Sequence, residues 1–229
     1  METAFRWYGP TDRVSLSWLR QMTPQPRVVT HLEQFAPGET WTVDAIKGLR
    51  QGLDIHGLGL GPLESVFWSD DMKTGGPRRN QHIDATIQTF RNLRAVFPEE
   101  SELIVTYNLM ALDWSRTDLA WEHPNGARGL AFDQAKWEAM DISRGLYLPG
   151  WGKGYSEAEF RHLGEIYGDK TAIWQHIGYV LNAIVPVCEE LNIRLAAHPN
   201  DPPWMTFGLP AMLCNAEDIQ LLMSLYPSR

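Results

Sequence analysis

The sequence contains little cysteine and no excess of positive charge. Two cysteines among 229 residues, Cys188 and Cys214, cannot form a disulfide framework or a four-thiolate zinc site. Such a low count favours a reducing, cytoplasmic compartment. Acidic residues outnumber basic ones by 28 to 20, which gives a formal net charge of -8. Because an acidic chain repels phosphate backbones, this balance argues against general nucleic-acid binding.

Long apolar segments and nucleotide-binding motifs are also missing. No run approaches the roughly 18 apolar residues that span a bilayer. Residues 1–8 lack the basic and then apolar stretches of a signal peptide. The first predicted strand is not followed by a glycine-rich dinucleotide fingerprint, and there is no phosphate loop of the Gly-Lys-Ser type. We therefore expect a cytoplasmic protein that has neither a membrane nor a nucleic acid as partner.

What the sequence does have is an alternation of strand and helix patterns, with an ordinary apolar content of 44%. Ten tryptophans and 15 prolines suggest an enzyme with elaborate loops. Strands are predicted at 5–8, 27–32, 63–68, 102–110 and 193–198. Helices are predicted at 15–22, 42–54, 81–97, 156–167, 171–191 and 216–225.

This alternation predicts an α/β fold with a parallel sheet in the strand order 1-2-3-4-5 and with helices outside it. We expect a single domain over residues 1–229. A long excursion over residues 113–155, with a helix at 132–140, interrupts the alternation and suits a lid.

Polar and aromatic side chains come at the ends of the predicted strands, where barrel enzymes build their sites. These residues are Tyr8, His31, Lys73, Asn108 and His198. Lys73 lies beside a glycine-rich turn and could grip a substrate carboxylate, with a solvated surface loop as the alternative. A lone histidine such as His31 is more typical of a structural residue.

His198 is the sharpest candidate because it ends an apolar strand and opens a proline-rich string at 198–204. The prolines would fix the directions of His198 and Asp201, an arrangement that suits a metal ligand and its orienting carboxylate. A capping histidine is the alternative. In the long excursion, Arg116 and Asp118 suit a lid over a polar ligand, with a structural salt bridge as the alternative. Neither cysteine has the surroundings of a nucleophile.

Several unusual strings occur in order along the whole chain. They are FRWYGP at 5–10, ESV at 64–66, KTG at 73–75, YN at 107–108, DWSRTDL at 113–119, LPGW at 148–151, HPNDPPW at 198–204 and FGLP at 207–210. In these strings the sequence resembles the mannonate dehydratase family.

The resemblance implies a TIM-type barrel related to xylose-isomerase-like enzymes. Since a closed barrel of this type has eight strand–helix units, the roughly five units predicted here imply an incomplete barrel. The resemblance also implies a hydro-lyase of hexuronate catabolism that dehydrates D-mannonate to 2-keto-3-deoxy-D-gluconate. The open edges of a five-stranded sheet, in turn, predict a homo-oligomer. The resemblance further implies a divalent metal, Mn(II) or Fe(II), with His198 as one ligand. The expected substrate-binding residues are Tyr8, Lys73, Asn108, Arg116 and Asp201. The catalytic acid and base are not assigned, with Asp201 as a candidate.

Two positions depart from the family pattern: residues 67–71 lack an expected His, and Asn200 stands where Asp is usual. Family members continue into strands that carry the other metal ligands (a Cys, a second His and an Asp) and most acid–base residues, whereas this sequence ends at Arg229. For the 229-residue chain alone we expect weak or absent metal binding, negligible turnover and self-association through open sheet edges. The alternatives are a non-catalytic barrel remnant that self-associates or binds a sugar acid, and a sugar isomerase or epimerase of the same barrel group.

Overall fold

The computed structural model describes residues 2–64, 66, 68–112, 116–142, 146–148 and 153–228, with 146–148 and 153 described by their backbone alone. The strands are β1 (Ala4–Arg6), β2 (Arg27–Thr30), β3 (Leu60–Leu63), β4 (Leu103–Asn108), β5 (Asp118–Glu122), β6 (Arg128–Ala131), β7 (Leu146–Leu148), β8 (Lys153–Tyr155) and β9 (Ile193–His198). The helices are α1 (Leu16–Leu19), α2 (Val43–His56), α3 (Asp70–Thr74), α4 (Arg79–Val96), α5 (Gln134–Glu138), α6 (Glu157–Ile166), α7 (Lys170–Glu190) and α8 (Ala216–Leu225). Within these ranges no helix is both long enough and apolar enough to cross a membrane.

The chain divides into two compact units. The first unit runs from the N-terminus to Asn108 and resumes over Trp174–His198 and from Leu221 onwards. The second unit comprises Leu109–Ile173 and Pro199–Gln220. The single domain expected over residues 1–229 stays a prediction.

A five-stranded sheet with the order β1-β2-β3-β4-β9 forms the centre of the first unit. Every neighbouring pair of strands is parallel. β4 and β9 pair over their whole length, from Leu103 opposite Ile193 to Asn108 opposite His198. The predicted α/β class, the parallel pairing and the strand order are therefore confirmed.

The helices between these strands are amphipathic. In α2 the residues Ile46, Leu49 and Leu53 are buried at helical spacing. The helix begins after Thr42, whose side-chain oxygen accepts a hydrogen bond from the Ala45 backbone N–H at 3.3 Å and so caps the helix. Each buried apolar side chain of this size stabilises the fold by about 1.5–3 kcal/mol. A helical crossover of this kind is what lets consecutive strands run parallel.

The third strand lies earlier in the chain than its predicted position of 63–68. β3 covers Leu60–Leu63 and includes Gly61, where an added Cβ would lie 3.1 Å from the backbone carbon and oxygen of Val28. The glycine therefore allows β3 to approach β2 closely. A strand prediction based on apolar and β-branched side chains does not include such a glycine. The first strand also ends sooner than expected, at Arg6 and not at Tyr8.

The second unit contains two antiparallel hairpins that the sequence analysis did not predict, β5–β6 and β7–β8. The first turns at Asn125-Gly126, where Gly126 has φ +79° and its N–H donates to the His123 carbonyl at 2.8 Å. The helix predicted at 132–140 is shorter, since α5 covers only Gln134–Glu138. Its Trp137 is buried against the rings of Phe132 and Phe207 at centroid distances of 5.6 and 4.9 Å.

Candidate active site

The carboxyl ends of the five parallel strands carry several of the residues singled out in the sequence. Tyr8 follows β1 by two residues, and His31 directly follows β2. Asn108 and His198 are the last residues of β4 and β9, and their Cα positions are partners in the strand pairing. Because partnered residues of adjacent strands project from the same face, Asn108 and His198 form a side-by-side pair at this edge.

His198 can supply one nitrogen ligand to a metal ion, and it is partly buried at the strand end. Among the described residues, however, no group of three or more His, Cys, Asp or Glu side chains is arranged to hold a metal. These residues by themselves do not fit a closed metal site, and we route no chemical step through a metal.

An Arg–Glu–His cluster that the sequence analysis did not identify lies at the ends of the first three strands. Arg6 is the last residue of β1, and its Nε forms an ion pair with the carboxylate of Glu64, which directly follows β3. Its Nη2 lies 2.7 Å from Nδ1 of His31. Its Nη1 donates to the backbone carbonyl of Trp7. The Arg6 guanidinium also covers the ring of Tyr8, with its carbon 4.4 Å from the ring centroid.

The protonation of this cluster follows from its burial. Burial, and then the positive charge of Arg6, lower the pKa of His31 to about 4. His31 is therefore neutral at pH 7. Since Arg6 can only donate, Nδ1 of His31 accepts and its Nε2 carries the hydrogen. The one sequence signal for this cluster, which the prediction did not use, is a charged residue, Arg6, inside the short aromatic strand predicted at 5–8.

Lys73 lies on the short helix α3, and its residue is only 6% exposed. The alternative of a solvated surface loop is therefore wrong. The Lys73 Nζ lies 3.3 Å from the Asp70 carboxylate. At the start of α3, the Ser69 hydroxyl oxygen accepts from the Met72 backbone N–H and lies 2.6 Å from His82 Nδ1. These contacts fix the N-terminal end of α3, and they thereby hold the backbone that carries Lys73.

In the second unit, Arg116 and Asp201 form an ion pair with 2.9 Å between Nη1 and Oδ2. A salt bridge was the alternative interpretation of Arg116, and the structure contains one, in which Arg116 binds the Asp201 carboxylate. Asn200, next to it, accepts a hydrogen bond from the Met212 backbone N–H at 3.1 Å. The backbone N–H of Asn200 donates to the Leu213 backbone carbonyl at 2.8 Å. Asn200 therefore closes the loop that carries Asp201.

The two cysteine thiols are not activated. Burial, and then the nearby Glu189 carboxylate, raise the pKa of Cys188 to about 12. Burial and Asp218 also raise the pKa of Cys214, against a smaller opposing effect of Lys170. Because a thiolate is the nucleophilic form, neither cysteine is poised for covalent catalysis.

Some sequence expectations fall outside the described residues. This applies to the parts of the family-like strings at Ser65, Asp113, Trp114, Ser115, Pro149, Gly150 and Trp151, and to Phe67 in the loop that lacks a His. The placement of the excursion at 113–155 over the strand ends stays a prediction.

The chain was compared with known protein families and structures. The family model for D-mannonate dehydratase (UxuA) matches residues 1–229. The chain is 37% identical over 233 residues to a mannonate dehydratase of Streptococcus uberis and 36% identical to one of Streptococcus agalactiae serotype Ia. It is 33% identical over 232 residues to mannonate dehydratase 2 of Halalkalibacterium halodurans.

A solved structure shows the same likeness. The mannonate dehydratase of Streptococcus suis serotype 2 matches the whole chain with a TM-score of 0.85 and 29% sequence identity. The match covers 62% of that solved chain. The chain likewise spans 66% of the length of the curated relatives that it matches, which is just under two thirds.

Proposed function

Because this chain belongs to the D-mannonate dehydratase family, we propose that it takes part in the dehydration of D-mannonate to 2-keto-3-deoxy-D-gluconate. The match of the family model to all 229 residues is the observation that carries the proposal. The strand-end residues give it chemical support, since they provide cations, hydrogen-bonding groups and an imidazole near the edge where α/β enzymes bind ligands.

The reaction sets the groups that a site must supply. A base removes the proton from C2, next to the carboxylate, and the hydroxyl on C3 leaves as water with the help of an acid. The resulting enol becomes the 2-keto acid when C3 gains a proton. Negative charge builds up at the carboxylate end during the first step, so cations and hydrogen-bond donors there lower the barrier.

We assign the binding roles to five residues. Lys73 and Arg116 are each a candidate for binding the substrate carboxylate, because each is a cation kept in place by an acidic neighbour. Asn108 and Tyr8 hydrogen-bond to substrate hydroxyls. Asp201, whose carboxylate is oriented by Arg116, is the candidate for proton transfer.

Metal dependence is general in this family. We propose Mn(II) or Fe(II) as the ion and His198 as one of its ligands, with the partial burial of this imidazole at the end of β9 in support. We further propose a cytoplasmic homo-oligomer that acts in hexuronate catabolism.

Product analysis tests the proposed function. The assay uses the protein as its source produces it, because we expect negligible turnover from a polypeptide of these 229 residues alone. The protein is incubated with D-mannonate and Mn(II), and a 2-keto-3-deoxy acid is detected through its carbonyl group as a semicarbazone. His198→Ala is expected to lower the rate by at least about 100-fold, because loss of a group that only orients a metal ligand already costs about 10- to 100-fold. An isomer of mannonate in place of the dehydrated product would instead assign an isomerase, and no reaction at all would contradict the proposal.

A further inference from the structure

We propose that Arg6 is a positioning residue, which holds the ring of Tyr8 in place for contact with the sugar acid. The inference rests on the proposed function for the identity of the ligand. The juxtaposition that carries it is the Arg6 guanidinium, pinned between the ends of β1, β2 and β3, with its face against Tyr8.

Arg6 is held on three sides by groups from three strand ends. Glu64 pairs with Nε, the Trp7 carbonyl accepts from Nη1, and the neutral His31 accepts from Nη2. The Arg6 side chain is only 17% exposed. A guanidinium engaged at each of its nitrogens has one orientation, because turning it would break all these contacts together.

Tyr8 is different, since 44% of its surface is exposed. Its backbone N–H donates to the Asp12 carboxylate at 2.7 Å, which anchors the main chain just after β1. The ring itself meets Arg6 at 4.4 Å, a distance at which a cation attracts the ring face. Backbone and ring are therefore fixed separately, and the ring remains partly open to solvent.

A fixed, half-exposed tyrosine suits recognition of a polyhydroxy acid. The ring offers an apolar face to C–H groups, and the phenol both donates and accepts hydrogen bonds. Because each nitrogen of Arg6 already has a protein partner, Arg6 acts on the substrate through the ring that it holds. Loss of Arg6 should therefore weaken binding in a way that depends on Tyr8.

A double-mutant cycle with Arg6→Lys and Tyr8→Leu tests this dependence. Lysine keeps the charge but not the planar face. We expect Arg6→Lys to raise KM for D-mannonate about three- to fivefold, with kcat changed less than about twofold, because a cation–π contact at an exposed ring has this strength. With Tyr8→Leu already present, Arg6→Lys should change KM less than about 1.5-fold. If Arg6→Lys raises KM by the same factor in the wild type and in Tyr8→Leu, the inference is overturned.

Two further variants keep the cycle interpretable. Arg13→Lys is the matched control, since Arg13 is exposed and should leave KM unchanged. If the Arg6→Lys protein melts below the assay temperature, Glu64→Gln replaces it in the cycle. This variant removes the charge that orients Arg6 and is expected to raise KM in the same ring-dependent way.

A binding measurement separates this inference from the proposed function. The seven tyrosines are replaced by 3-fluorotyrosine, and the ¹⁹F resonance missing from Tyr8→Phe identifies Tyr8. We expect D-mannonate, added with Mg(II) as a diamagnetic substitute for Mn(II), to shift this resonance in the wild type and much less in Arg6→Lys. A shift without product formation would support the inference and overturn the dehydratase proposal. Product formation without a shift would do the reverse, and neither response would overturn both.

Discussion

His31 stays neutral because it is buried beside the positive charge of Arg6. Its pKa is about 4 in the folded protein and returns to about 6.5 on unfolding. Between these two pH values the unfolded chain binds a proton that the folded chain does not. The stabilising contribution of neutral His31 is therefore fully present above pH 6.5 and is lost as the pH falls towards 4.

The His31→Gln substitution should flatten the loss of Tm between pH 6.5 and 4, because glutamine takes up no proton there and its oxygen can still accept from Arg6. Thermal melts across this range measure the effect. His162→Gln is the control, since the His162 side chain is 65% exposed. His176, whose pKa is also lowered by burial and by Arg79, leaves some slope in every variant. A wild-type slope in His31→Gln would contradict the assignment of a buried neutral imidazole.

Arg116 allows a test of binding against simple structural pairing. Its ion pair with Asp201 is partly exposed, so Arg116→Gln should reduce the free energy of unfolding by less than about 1 kcal/mol. If Arg116 holds the substrate carboxylate, the same change should lower kcat/KM by at least about tenfold. Denaturant melts and steady-state kinetics measure the two effects. Arg161→Gln, which breaks the exposed pair with Glu157, should match it in stability and leave kcat/KM unchanged. Equal kinetics for both variants would reduce Arg116 to a structural role.

At the scale of elements, α3 shows how a five-residue helix can be rigid. Ser69 caps its start, and Gly75 ends it in the left-handed region at φ +77°. A Cβ at Gly75 would lie 2.4 Å from His176 Cε1, so the helix end also packs tightly against that ring. Lys73 is carried by this helix and depends on both ends.

Two glycines that end helices separate backbone strain from packing. Gly57→Ala, at φ +64° with open space around it, should cost about 1–2 kcal/mol of unfolding free energy from the left-handed backbone alone. Gly75→Ala adds the collision with His176 and should cost about 2–5 kcal/mol. Equilibrium unfolding in urea gives both values. Equal losses would show that the His176 ring moves aside without cost.

The sequence specifies some elements fully and others only in part. β9 and α8 have the predicted bounds, because an apolar run and a helical spacing mark each of them locally. The predicted position of β3 was too late in the chain, because the close approach of Gly61 to β2 is a long-range contact that the local sequence pattern does not show. The hairpin turn at Asn125-Gly126 carries a strong local signal that went unused. The pairing of Arg6 with Glu64 joins two strand ends 58 residues apart in sequence, which spacing along one element does not reveal.

For the whole molecule, the two edge strands of the five-stranded sheet decide whether the chain associates with other copies of itself. β1 and β9 are its outer strands, and each has one strand neighbour among the described residues. Open strand edges pair readily with other chains. We therefore expect a polypeptide of these 229 residues to self-associate at low micromolar concentration, as measured by light scattering. A monodisperse species of 26.1 kDa with a cooperative melt would contradict this.

The central proposal is that this protein takes part in removing water across C2 and C3 of D-mannonate. The reaction is run in D₂O with Mn(II), the ion is then removed by a chelator, and proton NMR follows the reacting atoms directly. Dehydration predicts loss of the C2 proton signal and a product with one deuterium on C3, because the proton leaves C2 and the solvent supplies the new hydrogen. Retention of the C2 proton, or an isomer that keeps its C3 hydroxyl, would contradict the account.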